Sequence, residues 1–493
     1  MDTLRTLFLN PPSFEGFDGG AGARYQARRE IRSFWYPTWL AQPAALIPNS
    51  KLIDAPADGL AVEDVVQMAK GFDLCILHTS TPSLANDARV AARLKEANPR
   101  MRVGLVGAHA AVLPAETLAA APAVDFVARE EFDYTLLEIA QGRPYAEVDG
   151  ISYRENGGVR HNKDRALIAD MDALPDVVDV YKRDLTVENY YIGYLKHPYV
   201  SLYTGRGCPA RCTFCLWPQT VGGRTYRVQS PERVLRQMAR AKELFPQAKE
   251  FFFDDDTFTA DLPRAVEIAK GLGKLGISWS CNSRANVPHD HIRIFKDNGL
   301  RLFLVGYESG NQEILNNVKK GVRLDVARRF TKDCRKLGVT IHGTFILGLP
   351  GETKTTIDET IRYACDLDVD TIQVSLAAPY PGTELYSQAI HNGWLVQDTE
   401  KGSLVGDDGT QTSLLSYPGL PSDEISRGLN RMYSRFYFRP SPIARMLVAM
   451  AKDPQERRRR LREGREFLRF LWGRPDVQRA GKECPSCREK LPS

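Results

Sequence analysis

No stretch of this sequence stays apolar over the roughly 20 residues that a helix needs to cross a bilayer, so no membrane-spanning helix is expected. The opening residues, Met1–Asn10, mix an acid and an arginine with a short β-type run and lack the basic-then-apolar order of a secretory leader. A cytoplasmic location follows as an expectation. Cysteine is scarce: nine thiols in 493 residues, without the regular pairing of a secreted disulfide scaffold. Under reducing conditions clustered thiols are ligands more often than disulfides, and there are only two clusters. Net charge is small as well, +5, but unevenly placed. From Arg431 onward 14 Arg and 3 Lys face 7 acids, which is +10 and leaves −5 for residues 1–430.

Hydrophobic residues make up 43% of the chain, too much core material for one ordinary domain, so two or three are expected. Residues 1–142 alternate short apolar runs, at Thr6–Leu9, Leu52–Asp54, Leu74–His78, Val103–Val106 and Asp125–Val127, with helical stretches such as Ala61–Lys70 and Leu84–Ala97. Such alternation predicts an α/β domain with a doubly wound, flavodoxin-like parallel sheet. Residues 143–198 read as a linker with a hairpin, Gly150–Arg154 and Val159–Asn162 around the Asn156-Gly157 turn. A second βα series fills residues 199–420, with strands at Val200–Tyr203, Glu250–Phe253, Ile277–Cys281, Leu302–Val305, Ile341–Ile346 and Thr371–Leu376. Six units predict a partial (β/α)6 barrel, with its chemistry at the strand C-termini. Residues 421–493 form a basic, helical C-terminal extension.

Directly after the first strand of the second series comes Gly205-Arg206-Gly207-Cys208-Pro209-Ala210-Arg211-Cys212-Thr213-Phe214-Cys215, a Cys-x3-Cys-x2-Cys loop. Structural zinc needs four ligands, and no fourth Cys or His stands at a usual spacing. A [4Fe-4S] cube normally takes one cysteine per iron, so three thiolates hold it and leave one iron open. The loop, and about 220 residues beyond it, resemble the radical SAM superfamily. That resemblance implies S-adenosylmethionine (SAM) on the open iron and reductive cleavage to a 5′-deoxyadenosyl radical, with an electron donor such as flavodoxin or ferredoxin. It also implies SAM contacts from Phe214 in the loop, Asp255 and Asp256 ending the second strand, and Arg284 after the third. Further along, Gly306-Tyr307-Glu308-Ser309-Gly310 resembles the ribose-binding element, through Glu308 and Ser309. Gly343–Glu352, which includes Gly348, resembles the segment backing the adenine, and Pro379–Thr383 completes the set.

In that superfamily a doubly wound domain before the cluster domain marks the cobalamin-binding class, and Leu9-Asn10-Pro11-Pro12-Ser13 resembles its usual opening. Ligands of such sheets lie beyond the strand C-termini, which places candidate cobalamin contacts at Asn10, Ser13, Asp54, Thr79, Ser80 and Gly107, with Thr81, Ala108 and His109 beside them. No Asp-x-His-x-x-Gly follows the first strand, so an axial histidine is not expected. Residues 1–207 hold only Cys75, which excludes the second cluster of the methylthiotransferases. Cys484 and Cys487 cannot complete a metal site alone and read as bystanders, and Cys281, Cys334 and Cys365 as buried small residues.

The basic tail interleaves arginines with Phe436, Phe438, Phe467, Phe470 and Trp472. A solvated helix, a peripheral contact with anionic lipid and a nucleic-acid arm are all open to it, and the aliphatic and aromatic residues favour lipid over nucleic acid. Over its whole length the chain resembles the hopanoid biosynthesis-associated radical SAM proteins. This implies a lipid-linked substrate: the amino-sugar headgroup of a hopanoid, its ring contracted to a cyclitol ether. A cobalamin-dependent methyltransferase acting on an unactivated carbon is the alternative enzyme. A non-catalytic iron–sulfur sensor is the alternative of another class.

Overall fold

The computed structural model describes residues 3–16, 33–396, 411–452 and 454–473. Cys484 and Cys487 lie outside the described residues, as do the side chains of Phe467, Phe470 and Trp472.

The first sheet contains β1 (Thr6–Asn10), β2 (Ser50–Asp54), β3 (Leu74–His78), β4 (Arg102–Val106), β5 (Phe126–Ala128), β6 (Ile151–Glu155) and β7 (Gly158–His161). Its order is β2-β1-β3-β4-β5-β6-β7, the first five parallel and β6 and β7 antiparallel additions. The parallel part has the flavodoxin-like order. β1 and β3 are buried throughout because helices cover both faces, which is why they read as unbroken apolar runs. Alternation splits their side chains. Leu7 and Leu9 join a core with Val65, Leu77 and Val90 on one face, whereas Phe8 joins the main core on the other.

The hairpin read as part of a linker is instead hydrogen-bonded to this sheet through β5 and β6. Asn156 and Gly157, both at positive φ, make its tight turn. An antiparallel strand added at the edge of a parallel sheet leaves no local signature, so the sequence could not show where the hairpin docks. The segment after it continues the packing. Tyr36 stacks on Tyr190 with centroids 4.1 Å apart, its hydroxyl donates to the Tyr199 carbonyl at 2.7 Å, and Tyr199 returns a bond to Phe34 O at 2.8 Å. One core therefore runs from the first sheet into the second.

The second sheet takes β8 (Tyr199–Leu202), β11 (Glu250–Phe253), β12 (Trp279–Ser283), β13 (Leu300–Glu308), β14 (Thr340–Leu347) and β15 (Thr371–Leu376). A two-stranded ribbon, β9 (Gly205–Arg206) with β10 (Arg227–Val228), stands between the first two of these in sequence. All six barrel strands are parallel, in the order β15-β14-β13-β12-β11-β8, an open and curled half-barrel. Its helices are capped by local chemistry: Ser230 Oγ accepts Arg233 N–H at the start of Pro231–Leu244, and Asp261 does the same for Arg264 at the start of Leu262–Lys274. The helix Ser422–Tyr437 covers the β15 edge. The Ile372 and Val374 N–H groups donate to the hydroxyls of Tyr437 and Tyr433, each at 3.0 Å, and those hydroxyls donate back to the same residues' carbonyls.

The two sheets are joined by a buried ionic network. Arg206, on the ribbon, donates to both carboxylate oxygens of Asp133 at 2.6 and 3.1 Å, and Arg227 reaches Glu131 at 2.7 and 2.8 Å. Trp39 stacks on Trp217, with centroids 5.1 Å apart and planes within 3°, and the Arg206 guanidinium lies 4.8 Å over the Trp39 ring. Removing one partner of a buried pair leaves an uncompensated charge, so Asp133→Ala is expected to cost about 3–5 kcal/mol. The readout is a lower urea midpoint followed by tryptophan fluorescence. A loss below ~1 kcal/mol would mean that the aromatic core alone holds the two sheets together.

Candidate active site

The cysteine loop leaves the end of β8 through the ribbon. Gly207 (φ +87°) allows this exit, because a Cβ there would lie 2.3 Å from Thr225 O and 2.8 Å from Gly222 O. Cys208 and Cys212 are buried and Cys215 half-buried. Burial raises the Cys215 thiol well above its ordinary range, and Asp256, Cys212 and Cys208 raise it further, against Lys320. Cys208 is raised for the same first reason, with Asp256 and Cys212 adding and Arg284 opposing. Cys208 and Cys215 thus share one electrostatic environment, with Cys212 acting on both, and iron binding at these two raised thiols releases protons. Among the described residues no three Cys, His, Asp or Glu side chains are gathered to hold a single metal ion. A cube instead spreads its thiolates over separate irons.

Two residues that the sequence reading missed hold the loop's shape. Gln219 Nε2 donates to the carbonyls of Cys215 at 2.6 Å, Thr213 at 3.2 Å and Cys212 at 3.4 Å, and Arg224 donates to Ala210 O at 2.6 Å. A glutamine four residues after a cysteine carries no signal of this role. The Thr213 hydroxyl, beneath the loop, is buried without a hydrogen-bond partner. Phe214 is half-buried and packs against the main core.

Of the acids ending β11, the structure separates two that the sequence left equivalent. Asp255 is fully buried and accepts Thr204 N–H, the Thr204 hydroxyl and the Tyr226 hydroxyl, each at 2.6 Å. Its expected contact with SAM is corrected: that carboxylate is committed to fastening the start of the ribbon. Asp256 is exposed and acts electrostatically on Cys208 and Cys215. Arg284 is half-buried and donates through Nη2 to the Lys320 carbonyl.

Lys320, also missed, completes the group. Its buried ammonium donates to Glu308 Oε1 at 2.6 Å. Burial alone would lower its pKa, but Glu308 and Cys212 outweigh that and raise it. Glu308 sits at φ +64° where the register of β13 on β14 shifts, a strained position of the kind that clusters at functional sites. The neighbouring expectation fails. The Ser309 hydroxyl is fully buried, shares a 3.2 Å hydrogen bond with Thr360 and accepts Asn311 N–H, so it ties a helix to the strand end rather than facing a sugar. Gly348 is likewise covered: its N–H donates to Glu352 at 2.6 Å, and its carbonyl accepts from Tyr417 at 2.8 Å.

On the first sheet, Asn10 and Asp54 meet each other rather than open space. Asn10 Nδ2 donates to Asp54 at 2.7 Å and Tyr190 donates to the other oxygen at 2.8 Å, which corrects both as cofactor contacts. Ser13 is half-buried and accepts Glu15 N–H at 3.2 Å. The ends of β3 and β4 fit the expectation better. The Thr79 hydroxyl is fully buried without a partner, and Gly107 (φ +119°) lies so close that a Cβ would come 2.2 Å from Thr79 O. Ser80 bonds Ser83 at 3.0 Å, and Thr81 bonds His109 Nδ1 at 3.0 Å. This edge faces the cluster loop, since a Cβ on Gly382 would press on both Val112 and Thr220. An orphaned hydroxyl and a side-chain-free cradle suit a large flat ligand here. A cavity of about 1230 Å³ lies at the opposite ends of the barrel strands, beside Arg301, Thr340 and Thr371, away from the thiols.

Residues 202–364 match the Radical SAM superfamily and residues 27–140 the B12 binding domain. A protein of Pyrococcus horikoshii described as an uncharacterized methyltransferase is 32% identical over 90% of this chain and 94% of its own length. The hopanoid C-3 methylase of Methylococcus capsulatus is 29% identical over 40% of this chain and 37% of its own. The radical SAM methyltransferase TsrM of Kitasatospora setae, solved with cobalamin and a [4Fe-4S] cluster, shares the fold at a TM-score of 0.66 and 13% identity, over 94% of this chain and 99% of that one. The chain belongs to the radical SAM superfamily, in the group that carries an amino-terminal B12-binding domain. It is a radical SAM enzyme, whose cofactors are a [4Fe-4S] cluster, SAM and cobalamin.

Each of Cys208→Ala, Cys212→Ala and Cys215→Ala is expected to abolish iron retention and 5′-deoxyadenosine formation. Iron retained at the wild-type level by any one of them would remove that thiol from the ligand set. A second prediction concerns Asp54. Burial, against the bonds from Asn10 and Tyr190, raises its carboxyl from the ordinary 3.8 to about 7. The folded state therefore binds the proton more tightly than the unfolded one, and stability falls as pH rises from about 4 to 7. Asp54→Asn should flatten that slope in urea titrations, and an unchanged slope would assign it to another group.

Proposed function

We propose that this enzyme transfers a methyl group to an unactivated carbon, using cobalamin together with SAM and the cluster. The carrying observation is the docking of the two sheets, which sets the β3–β4 end of the first against the cysteine loop, through Val112 on Thr220 and Gly382 and Trp39 on Trp217. When bound, the cofactors supply a carbon-centred radical from one side and a methyl group from the other, so both must reach one substrate carbon. Cys208, Cys212 and Cys215 hold the cluster, on a loop shaped by Gln219 and Arg224. Arg284 is assigned to the SAM carboxylate through its planar fork, and Asp256 to the amino group. The linked pair Lys320–Glu308 borders the same thiols. Thr79, Ser80 and Gly107 bound the cobalamin side. A flavodoxin or ferredoxin supplies the electron.

Both relatives named above bear the names of methyl-transferring enzymes, which favours this reading over the hopanoid ring contraction implied by the overall sequence resemblance. That contraction gains no support from the site. The test is anaerobic incubation of the cobalamin-reconstituted enzyme with methyl-labelled SAM, a reductant and bacterial lipid extracts that include hopanoids. A labelled product formed with both 5′-deoxyadenosine and S-adenosylhomocysteine is the expected result. An unlabelled isomer of a substrate, formed with 5′-deoxyadenosine alone, would replace methyl transfer with a rearrangement.

A further inference from the structure

The helix Pro440–Lys452 is turned the wrong way round for a soluble protein. Its polar residue Arg445 points inward, where both guanidinium nitrogens bind Asp368 at 2.7 and 3.0 Å, and Ser441 adds a 2.9 Å bond to the same carboxylate. Pro442 is buried, and Met446 is half-buried beside Arg445. Two residues either way around a helix is close to half a turn, so Ile443 and Leu447 face solvent, and Val448 is exposed beside Leu447. A surface helix ordinarily buries its apolar stripe and exposes its charges. Among the described residues seven large hydrophobic side chains are exposed, and five of them, Phe438, Ile443, Leu447, Val448 and Leu461, fall between residues 438 and 461. Leu447 and Leu461 are each 60% exposed.

The following helix, Pro454–Gly473, supplies charge to the same region. Arg457, Arg458, Arg462 and Arg465 are exposed at helical spacing around Leu461, whereas Glu463 is buried and Glu466 half-buried. Arg462 also lies 4.9 Å over the Tyr191 ring, which seats this helix on the barrel floor. Arg458 and Arg462 border the cavity beneath, so Arg457 and Arg465 outward, the acids inward and aliphatic side chains between them make an interfacial pattern.

We propose that the helix pair Pro440–Lys452 and Pro454–Gly473 docks on an anionic lipid bilayer, Ile443, Leu447, Val448 and Leu461 entering the headgroup boundary and the arginines meeting lipid phosphates. A second copy of the chain fits this face poorly, because a symmetric interface would set the arginine row against itself. Among the described residues no helix is long and apolar enough to cross a membrane, so the contact is peripheral. The face lies at the strand ends opposite the thiols. It therefore tethers the enzyme and does not present the active-site mouth to the bilayer, which keeps the proposal independent of the reaction catalysed.

The test uses the full-length, cluster-loaded protein in co-sedimentation with vesicles of phosphatidylcholine alone and of phosphatidylcholine with phosphatidylglycerol. Binding to the anionic vesicles alone is expected, and rising salt should reverse it as screening shortens from about 10 Å at 0.1 M to about 3 Å at 1 M. Replacing Arg457 and Arg465 by Gln should weaken partitioning roughly fivefold per residue. Ile443→Glu with Leu447→Glu should weaken it by more than about tenfold. Unchanged iron content and 5′-deoxyadenosine formation show that these variants are folded. Equal binding to both vesicle types, or undiminished binding by the Ile443/Leu447 double variant, would overturn the proposal. So would concentration-dependent dimerisation that the same variant abolishes, which would make the face a self-association surface, or preferential binding of a nucleic-acid probe over the anionic vesicles.

Discussion

The contact on which the remaining geometry depends is the buried pairing of Arg206 with Asp133, reinforced by Arg227 on Glu131. Both arginines belong to the short ribbon that brackets the cysteine loop, and both carboxylates belong to the stretch that follows β5 of the other domain. Arg206 stands two residues before Cys208. The position of the cluster relative to the amino-terminal sheet is therefore set by charges that leave water only when the two domains meet. A desolvated pair contributes little net stability against an apolar replacement. It gains in orientation, because the two hydrogen bonds of a guanidinium fork accept few relative placements. Trp39, held flat against Trp217 and beneath Arg206, extends that constraint to the far side of the loop.

Where a strand is buried on both faces its composition announces it, and β1, β3, β8 and β11 were legible for that reason, as was the loop, whose thiol spacing has few other uses. The order of the first sheet followed from its βα alternation. The docking of the β6–β7 hairpin did not, because the edge it joins lies more than 20 residues back along the chain and exerts no local preference. Within the site, residue type was readable and direction was not. Asp255 and Asp256 are adjacent and chemically alike, yet opposite sides of the strand end send one into Thr204 and Tyr226 and leave the other beside the thiols. Ser309 is turned from its expected partner by Thr360, which arrives from a helix some fifty residues later. Lys320 was invisible because its meaning comes only from the strained backbone that aims Glu308 at it.

The charges around the loop also order themselves by burial. Burial and then Asp256 raise the thiols of Cys208 and Cys215, and the cations close by oppose this, Arg284 at Cys208 and Lys320 at Cys215. Binding iron at Cys208 and Cys215 is therefore coupled to the release of their protons.

The tyrosines that close β15 carry a further consequence. A half-barrel is an open sheet, and its rim offers the unsatisfied N–H and C=O groups that recruit a strand from a neighbouring molecule. Tyr433 and Tyr437, one helical turn apart, occupy two residues' worth of that ladder in both donor and acceptor senses. The sheet is thus terminated by side-chain hydroxyls, which cannot propagate pairing to another strand. The half-barrel stays unclosed, yet at its β15 edge the ladder positions of Ile372 and Val374 are not open to a strand from a neighbouring molecule.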